Sequence, residues 1–87
     1  MDNQAHTWRY AAIKKTNTYD GSTFWVVAEV YRQGDKHPDS WTEDAVEPFG
    51  DTYEELIECL ELMISDLKKP ASKYEVEPHG IKLTKID

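Results

Sequence analysis

The sequence predicts an α+β fold: a two-layer domain in β-β-β-α order, with a three-stranded antiparallel sheet, one amphipathic helix on one face and one or two short C-terminal strands. Three observations predict it. Leu56, Ile57, Leu60, Met63, Ile64 and Leu67 recur with the spacing of one apolar stripe on a helix of about 3.6 residues per turn. The segment Thr23-Phe-Trp-Val-Val-Ala-Glu-Val-Tyr31 is rich in β-branched and aromatic residues and lacks a helical period. Asp20-Gly21, just before it, is a turn pair that accepts positive φ.

Taken in chain order, residues 1–6 read as a disordered tail and residues 7–87 as a single domain. Trp8 to Lys15 alternates weakly and pairs with Ser22 to Arg32 as an antiparallel hairpin across Thr16 to Gly21. Gln33 to Asp39 is a polar loop, and Ser40 to Val46 is a third strand that Pro48 and Gly50 end. The helix is expected over residues 52–69, with Tyr53 joining its apolar stripe. Thr52 and Glu55 form a capping box at its start, Glu54 and Glu55 suit the positive end of its dipole, Lys68 and Lys69 the negative end, and Pro70 stops it. Ser72 to Val76 can add a short strand, and Ile81, Leu83 and Ile86 alternate as a last one.

Composition limits the function. At 87 residues the chain holds one core and no cleft between lobes. The formal net charge of −7 disfavours nonspecific nucleic-acid binding, which depends on Lys and Arg displacing counterions from phosphates. That charge is local: residues 1–40 balance five acids with five bases, whereas residues 41–67 carry nine acids and no base. No apolar run is long enough to span a bilayer and Met1 to Gln4 is not a signal peptide, so a cytoplasmic protein is expected. A lone Cys59 makes no internal disulfide.

Two surfaces are candidates for function. Alternation along the second strand puts Phe24, Val26, Ala28 and Val30 on one face, assigned to the helix-facing core because it is aliphatic and uncharged. The opposite face carries Trp25, Val27 and Tyr31, joined by Trp8, Tyr10 and Trp41 where strand register allows. Such aromatic patches mark interfaces, through homodimerisation or recognition of another ligand, unless the chain after Pro70 folds back over them. The helix presents the second surface: Glu54, Glu58, Glu61 and Leu62 lie outward, Leu62 almost opposite the centre of the apolar stripe and near Glu55, Glu58, Cys59 and Asp66. It is either a solvated face or a site for a basic protein partner.

Catalytic and metal constellations are not evident. Cys59 sits mid-helix at the edge of the apolar stripe as a structural residue, and His6, His37 and His79 have no Cys or His at metal-ligand spacing. Gly34 and Gly50 belong to no phosphate-binding motif, and no pocket is indicated that would raise a carboxyl pKa. Neither an enzyme nor a cofactor is therefore expected.

Asp20-Gly21, the strand Phe24 to Val30 and Gly50-Asp51-Thr52-Tyr53-Glu54-Glu55 opening an amphipathic helix resemble, in that order, the N-terminal domain of HicB-type antitoxins. The resemblance covers about residues 9–67. It implies a partial ribonuclease-H-like sheet-and-helix fold that binds and blocks a small basic toxin, often as an oligomer. Tyr31-Arg32-Gln33-Gly34 stands where that family has a Pro-rich element, and no DNA-binding module follows. Trp41-Thr42-Glu43-Asp44, Pro48 to Thr52 and the helix through Pro70 also resemble a group of small bacterial proteins without known function. The expected role is thus a non-enzymatic bacterial protein-interaction domain, antitoxin-like or inhibitory. The alternative is a nucleic-acid module that stacks bases on the aromatic face beside Arg9, Lys14, Lys15 and Arg32.

Overall fold

The computed structural model describes residues 6–33, 37–78 and 82–86. Its elements are β1 (His6–Thr16), β2 (Thr23–Gln33), β3 (Ser40–Trp41), α1 (Tyr53–Leu67), β4 (Lys73–Glu75) and β5 (Thr84–Lys85). Residues 1–5 of the predicted tail lie outside the described residues, as do His79 and Ile81.

The fold is α+β with one helix, and the sheet is larger than the sequence predicts. All five strands form one mixed sheet in the order β3-β2-β1-β4-β5. The β1–β2 hairpin is antiparallel, with Trp8 opposite Tyr31, Tyr10 opposite Glu29 and Lys14 opposite Trp25. Its connection is a six-residue loop: Asn17 and Ser22 close it through Asn17 N–H to Ser22 O (2.7 Å), and Gly21 adopts φ +75°. The predicted three-stranded antiparallel sheet is corrected at β4, which returns through the helix to lie parallel to β1, with Ile13 opposite Tyr74. Parallel neighbours need such a crossover, because no tight turn can join them.

The third strand is shorter than Ser40 to Val46. Only Ser40 and Trp41 pair in register, after which the chain runs beside β2 on single hydrogen bonds, Thr42 N–H to Glu29 O (3.0 Å) and Val46 N–H to Val27 O (2.9 Å). The Thr42 hydroxyl takes the Glu29 N–H at 3.1 Å, so a side chain replaces a ladder carbonyl and regular pairing ends there.

Helix α1 begins as the capping box requires. Glu55 N–H donates to Thr52 Oγ1 at 3.1 Å, while Glu55 Oε1 reaches one residue further back than predicted and accepts from Asp51 N–H at 2.9 Å. Gly50 is needed here because a Cβ would lie 2.6 Å from the Glu55 carbonyl carbon and 2.8 Å from Leu56 Cα. The helix ends at Leu67, two residues before the predicted end, with Lys68 as its C-cap.

The core lies on the sheet face opposite the one predicted to meet the helix. Ala11, Ile13, Ala28, Val30, Tyr74, Val76 and Leu83 form it, with Val26 and Trp41 packed against it. Strand pairing places Ile13, Val26 and Tyr74 on one side of the sheet and Tyr10, Val27 and Trp25 on the other. It is the Tyr10 side that meets the helix: the Tyr10 hydroxyl lies 3.8 Å from Cys59 Sγ. The face-assignment is therefore corrected. Val26, Ala28 and Val30 are core residues as expected, but β4, the segment before β5 and β3 close over them, and Phe24 at the end of β2 is exposed.

Candidate functional site

The exposed apolar surface is set by how α1 is rolled against β1. Asp66, assigned by its helical position to the outer face, is buried at 4% exposure. Its Oδ2 accepts from Tyr10 N–H at 3.0 Å, and its Oδ1 accepts from Lys69 Nζ at 2.9 Å. Tyr10 N–H points away from β2, as Ala12 N–H does toward Ser72 O, so the carboxylate occupies the place of a strand carbonyl beyond the start of β4. Ser72 Oγ then donates to the Asp66 carbonyl at 2.8 Å and ties the following turn to the last turn of the helix.

The turn is held from the sheet as well. Arg9 Nη2 donates to the carbonyls of Pro70 (2.8 Å) and Ala71 (2.6 Å), and the Tyr74 hydroxyl donates to the same Ala71 oxygen at 2.9 Å. These bonds hold Ala71 at φ +57°, a left-handed conformation that a residue with a Cβ seldom adopts.

With Asp66 latched inward, Met63 is buried and Leu56, Cys59 and Leu67 are half-buried beside it. The other half of the predicted apolar stripe turns outward: Tyr53 is 74% exposed, Ile64 53%, and Ile57 and Leu60 37% each. The stripe expected to be core is thus split lengthwise. Glu54, Glu58, Glu61 and Leu62 are exposed, where the sequence places them.

The sheet contributes further apolar residues on the helix side, Trp8 beside Tyr31 at one end of the hairpin and Trp25 near Val27 toward the other. Trp8 and Trp25 are about half exposed, and Val27 and Tyr31 are half-buried. Tyr10 and Trp41 leave the expected set. Tyr10 is buried beneath the helix with Trp8 edge-on against its ring (centroids 5.2 Å), and Trp41 packs on the core face, where its pairing with Val30 directs it. Burial, then the contact with Cys59, pushes the Tyr10 hydroxyl pKa up to about 12. The Tyr31 hydroxyl donates to Glu29 Oε1, and that carboxylate holds the Tyr31 pKa above its ordinary value.

The basic residues do not gather beside the aromatics. Lys14 alone of the four shares their face; Arg9, Lys15 and Arg32 lie on the other by strand alternation. Arg9 is bound to the turn carbonyls, and Lys15 Nζ donates to Glu43 O at 2.7 Å. The lysines that do cluster are Lys68, Lys69, Lys73 and Lys85, around a cleft of about 550 Å³ below the C-terminal end of α1. A second depression of about 410 Å³ opens between Phe24, Trp41 and Glu77 on the core side.

His37 is structural. Its Nε2 lies 2.9 Å from the Leu83 carbonyl oxygen and its ring meets Tyr74 edge-on at 5.7 Å. Among the described residues no three His, Cys, Asp or Glu side chains converge to hold a metal, and no helix is long and apolar enough to cross a membrane. Of the residues that shape this surface, Asp66 and Arg9 were missed as structural ties. The only sequence signal for Asp66 is Lys69 one turn on, too common a pairing to point inward.

No protein-family model, curated protein or solved structure matches the chain.

Proposed function

We propose that this chain is a non-enzymatic protein-interaction domain of the cytoplasm, acting through the apolar surface on its helix side. The observation that carries the reading is the uncovered apolar flank of α1, Tyr53, Ile57, Leu60 and Ile64, on the same side of the sheet as the half-exposed Trp8 and Trp25, which stand near opposite ends of the hairpin. Large exposed apolar residues grouped on one side mark contact surfaces, and Trp and Tyr are the residue types that dominate binding energy there. An antitoxin-like or inhibitory role is the most concrete form. The order hairpin, third strand, capped helix supports it, as does the acidic rim of Glu54, Glu58 and Glu61, which suits a basic partner.

The nucleic-acid alternative needs bases and stacking aromatics on one face, and strand alternation puts Arg9, Lys15 and Arg32 opposite Trp8 and Trp25. Titrating labelled single-stranded RNA at low salt, alongside affinity capture with wild-type and Trp25→Glu baits, tests the reading. Expected is no saturable RNA binding, and a captured protein that the variant loses. Saturable micromolar RNA binding that weakens with salt would overturn it.

A further inference from the structure

The layer that closes over the core is open at the loop end of the hairpin. Lys15 and Phe24 stand opposite each other there on the core face, and Val76, just after β4, packs into the same core. Trp41 with the segment after it borders this end from the β2 side, and residues 76–78 border it from the β4 side. Between them lies the depression of about 410 Å³, within the size range of sites for small groups.

The depression combines aromatic walls with unpaired acid. Phe24 is exposed and Trp41 half-buried, and both border it. Glu43, Asp44 and Glu77, all exposed, complete its rim. Among the described residues the one ion pair is that of Lys69 with Asp66, so none of these three carboxylates is paired with a base. Lys15 is the only base on the lining, and its Nζ donates to the Glu43 carbonyl oxygen at 2.7 Å rather than to a carboxylate. The lining therefore keeps an excess of negative charge beside two aromatic rings.

This set selects a flat cation. Among the described residues no three acids converge to hold a metal ion, so the carboxylates stand around a rim and not at a point. A guanidinium suits that arrangement: its charge is spread over a plane that stacks on aromatic rings, and its several N–H donors reach acceptors in more than one direction. An ammonium is a compact, strongly hydrated charge that exploits the ring faces less well. We propose that this depression binds the side chain of an arginine presented by another protein, with the guanidinium against Phe24 and Trp41 and its N–H groups donating to Glu43, Asp44 and Glu77. The site lies on the opposite side of the sheet from the outward flank of α1 and is a second contact point, independent of that flank.

Nuclear magnetic resonance titration of the isotope-labelled full chain with the Nα-acetyl amides of arginine, citrulline and lysine tests it. Expected for arginine are saturable shifts confined to Phe24, Trp41 and residues 43–44 and 76–78, with a dissociation constant of about 1 to 10 mM for a side chain without its protein. Citrulline, which has the same shape and no charge, gives no saturable shifts, and lysine binds at least about 3-fold more weakly. Asp44→Asn combined with Glu77→Gln weakens arginine binding at least about 5-fold, and Phe24→Ala about 3-fold. Asp44 and Glu77 are exposed, so their double variant decides the matter even where Phe24→Ala disturbs the hairpin. Glu54→Gln combined with Glu58→Gln, on the helix, leaves the constant unchanged, which separates this site from general attraction to an acidic chain. Shifts that fail to saturate, that spread equally over the helix acids, or that citrulline or lysine reproduces overturn the proposal. If arginine binding fails while affinity capture still depends on Trp25, the contact surface on the helix side stands; if both fail, both are refuted.

Discussion

Replacing Asp66 by alanine tests the account of why half of the apolar stripe faces solvent. In the structure this carboxylate accepts from Tyr10 N–H at 3.0 Å and from Lys69 Nζ at 2.9 Å, while only 4% exposed. Asp66→Ala leaves the Tyr10 N–H without a partner beneath the helix, a penalty of about 1 to 3 kcal/mol. The Lys69 side chain is half exposed, so its lost ion pair adds at most about 0.5 kcal/mol. The sum, about 1 to 3.5 kcal/mol, is a large share of the stability of a domain this size. With a urea slope of about 1 kcal/mol/M, the unfolding midpoint drops by about 1 to 3.5 M. Asp66→Asn keeps an acceptor for Tyr10 N–H but loses the charge opposite Lys69, so its midpoint falls between the two. Glu58→Ala, on the exposed side, sets the baseline. A shift for Asp66→Ala no larger than that baseline would mean that the carboxylate does not fix the helix, and the explanation of the outward flank would fail with it.

Other perturbations follow from single contacts. Gly50→Ala forces a Cβ against the backbone of Glu55 and Leu56, which has no rotamer to yield, and costs about 2 kcal/mol by chemical denaturation. Ala71→Gly removes the left-handed penalty at φ +57° and gives back part of it as chain entropy, so the unfolding free energy rises by up to about 1 kcal/mol. Leu62→Glu, at an exposed position, stays within about 0.5 kcal/mol of wild type; a loss of about 2 kcal/mol would mean that this face of the helix is misplaced. Burial raises the Tyr10 pKa from 10.0 to about 12, so the neutral hydroxyl is favoured by folding. The stability it supplies is complete below about pH 10 and is lost as pH rises through about 12. Urea midpoints across that range should fall less steeply for Tyr10→Phe than for wild type, and equal slopes would refute the assignment.

Local signals carried much of the fold. The β1–β2 pair, the Thr52 cap and the position of α1 follow from alternation, turn chemistry and the 3.6-residue period, all of which are written within about a dozen residues. The parallel placement of β4 does not, because Lys73 to Glu75 is only three residues long and its partner stands about sixty positions earlier. Nor does the core face. Phe24, Val26, Ala28 and Val30 identify an apolar side of β2, but nothing in β2 says whether a helix or the returning chain covers it.

The same limit governs the candidate site. The amphipathic pattern of α1 fixes which residues are apolar and the arc they span, about 100° wide or more, but a helix can satisfy that arc while rolled by a quarter turn. One polar contact decides the roll. With Asp66 drawn to the β1 backbone, Met63 is buried and Cys59 half-buried while Tyr53, Ile57, Leu60 and Ile64 lie outward, so the exposed apolar flank and the buried carboxylate occur together. Burying an acid costs more than burying a leucine unless it is paired, and Tyr10 N–H with Lys69 supplies that pairing. Rolling α1 back toward the centre of its apolar stripe would turn Tyr53, Ile57, Leu60 and Ile64 inward and Asp66 with Cys59 outward.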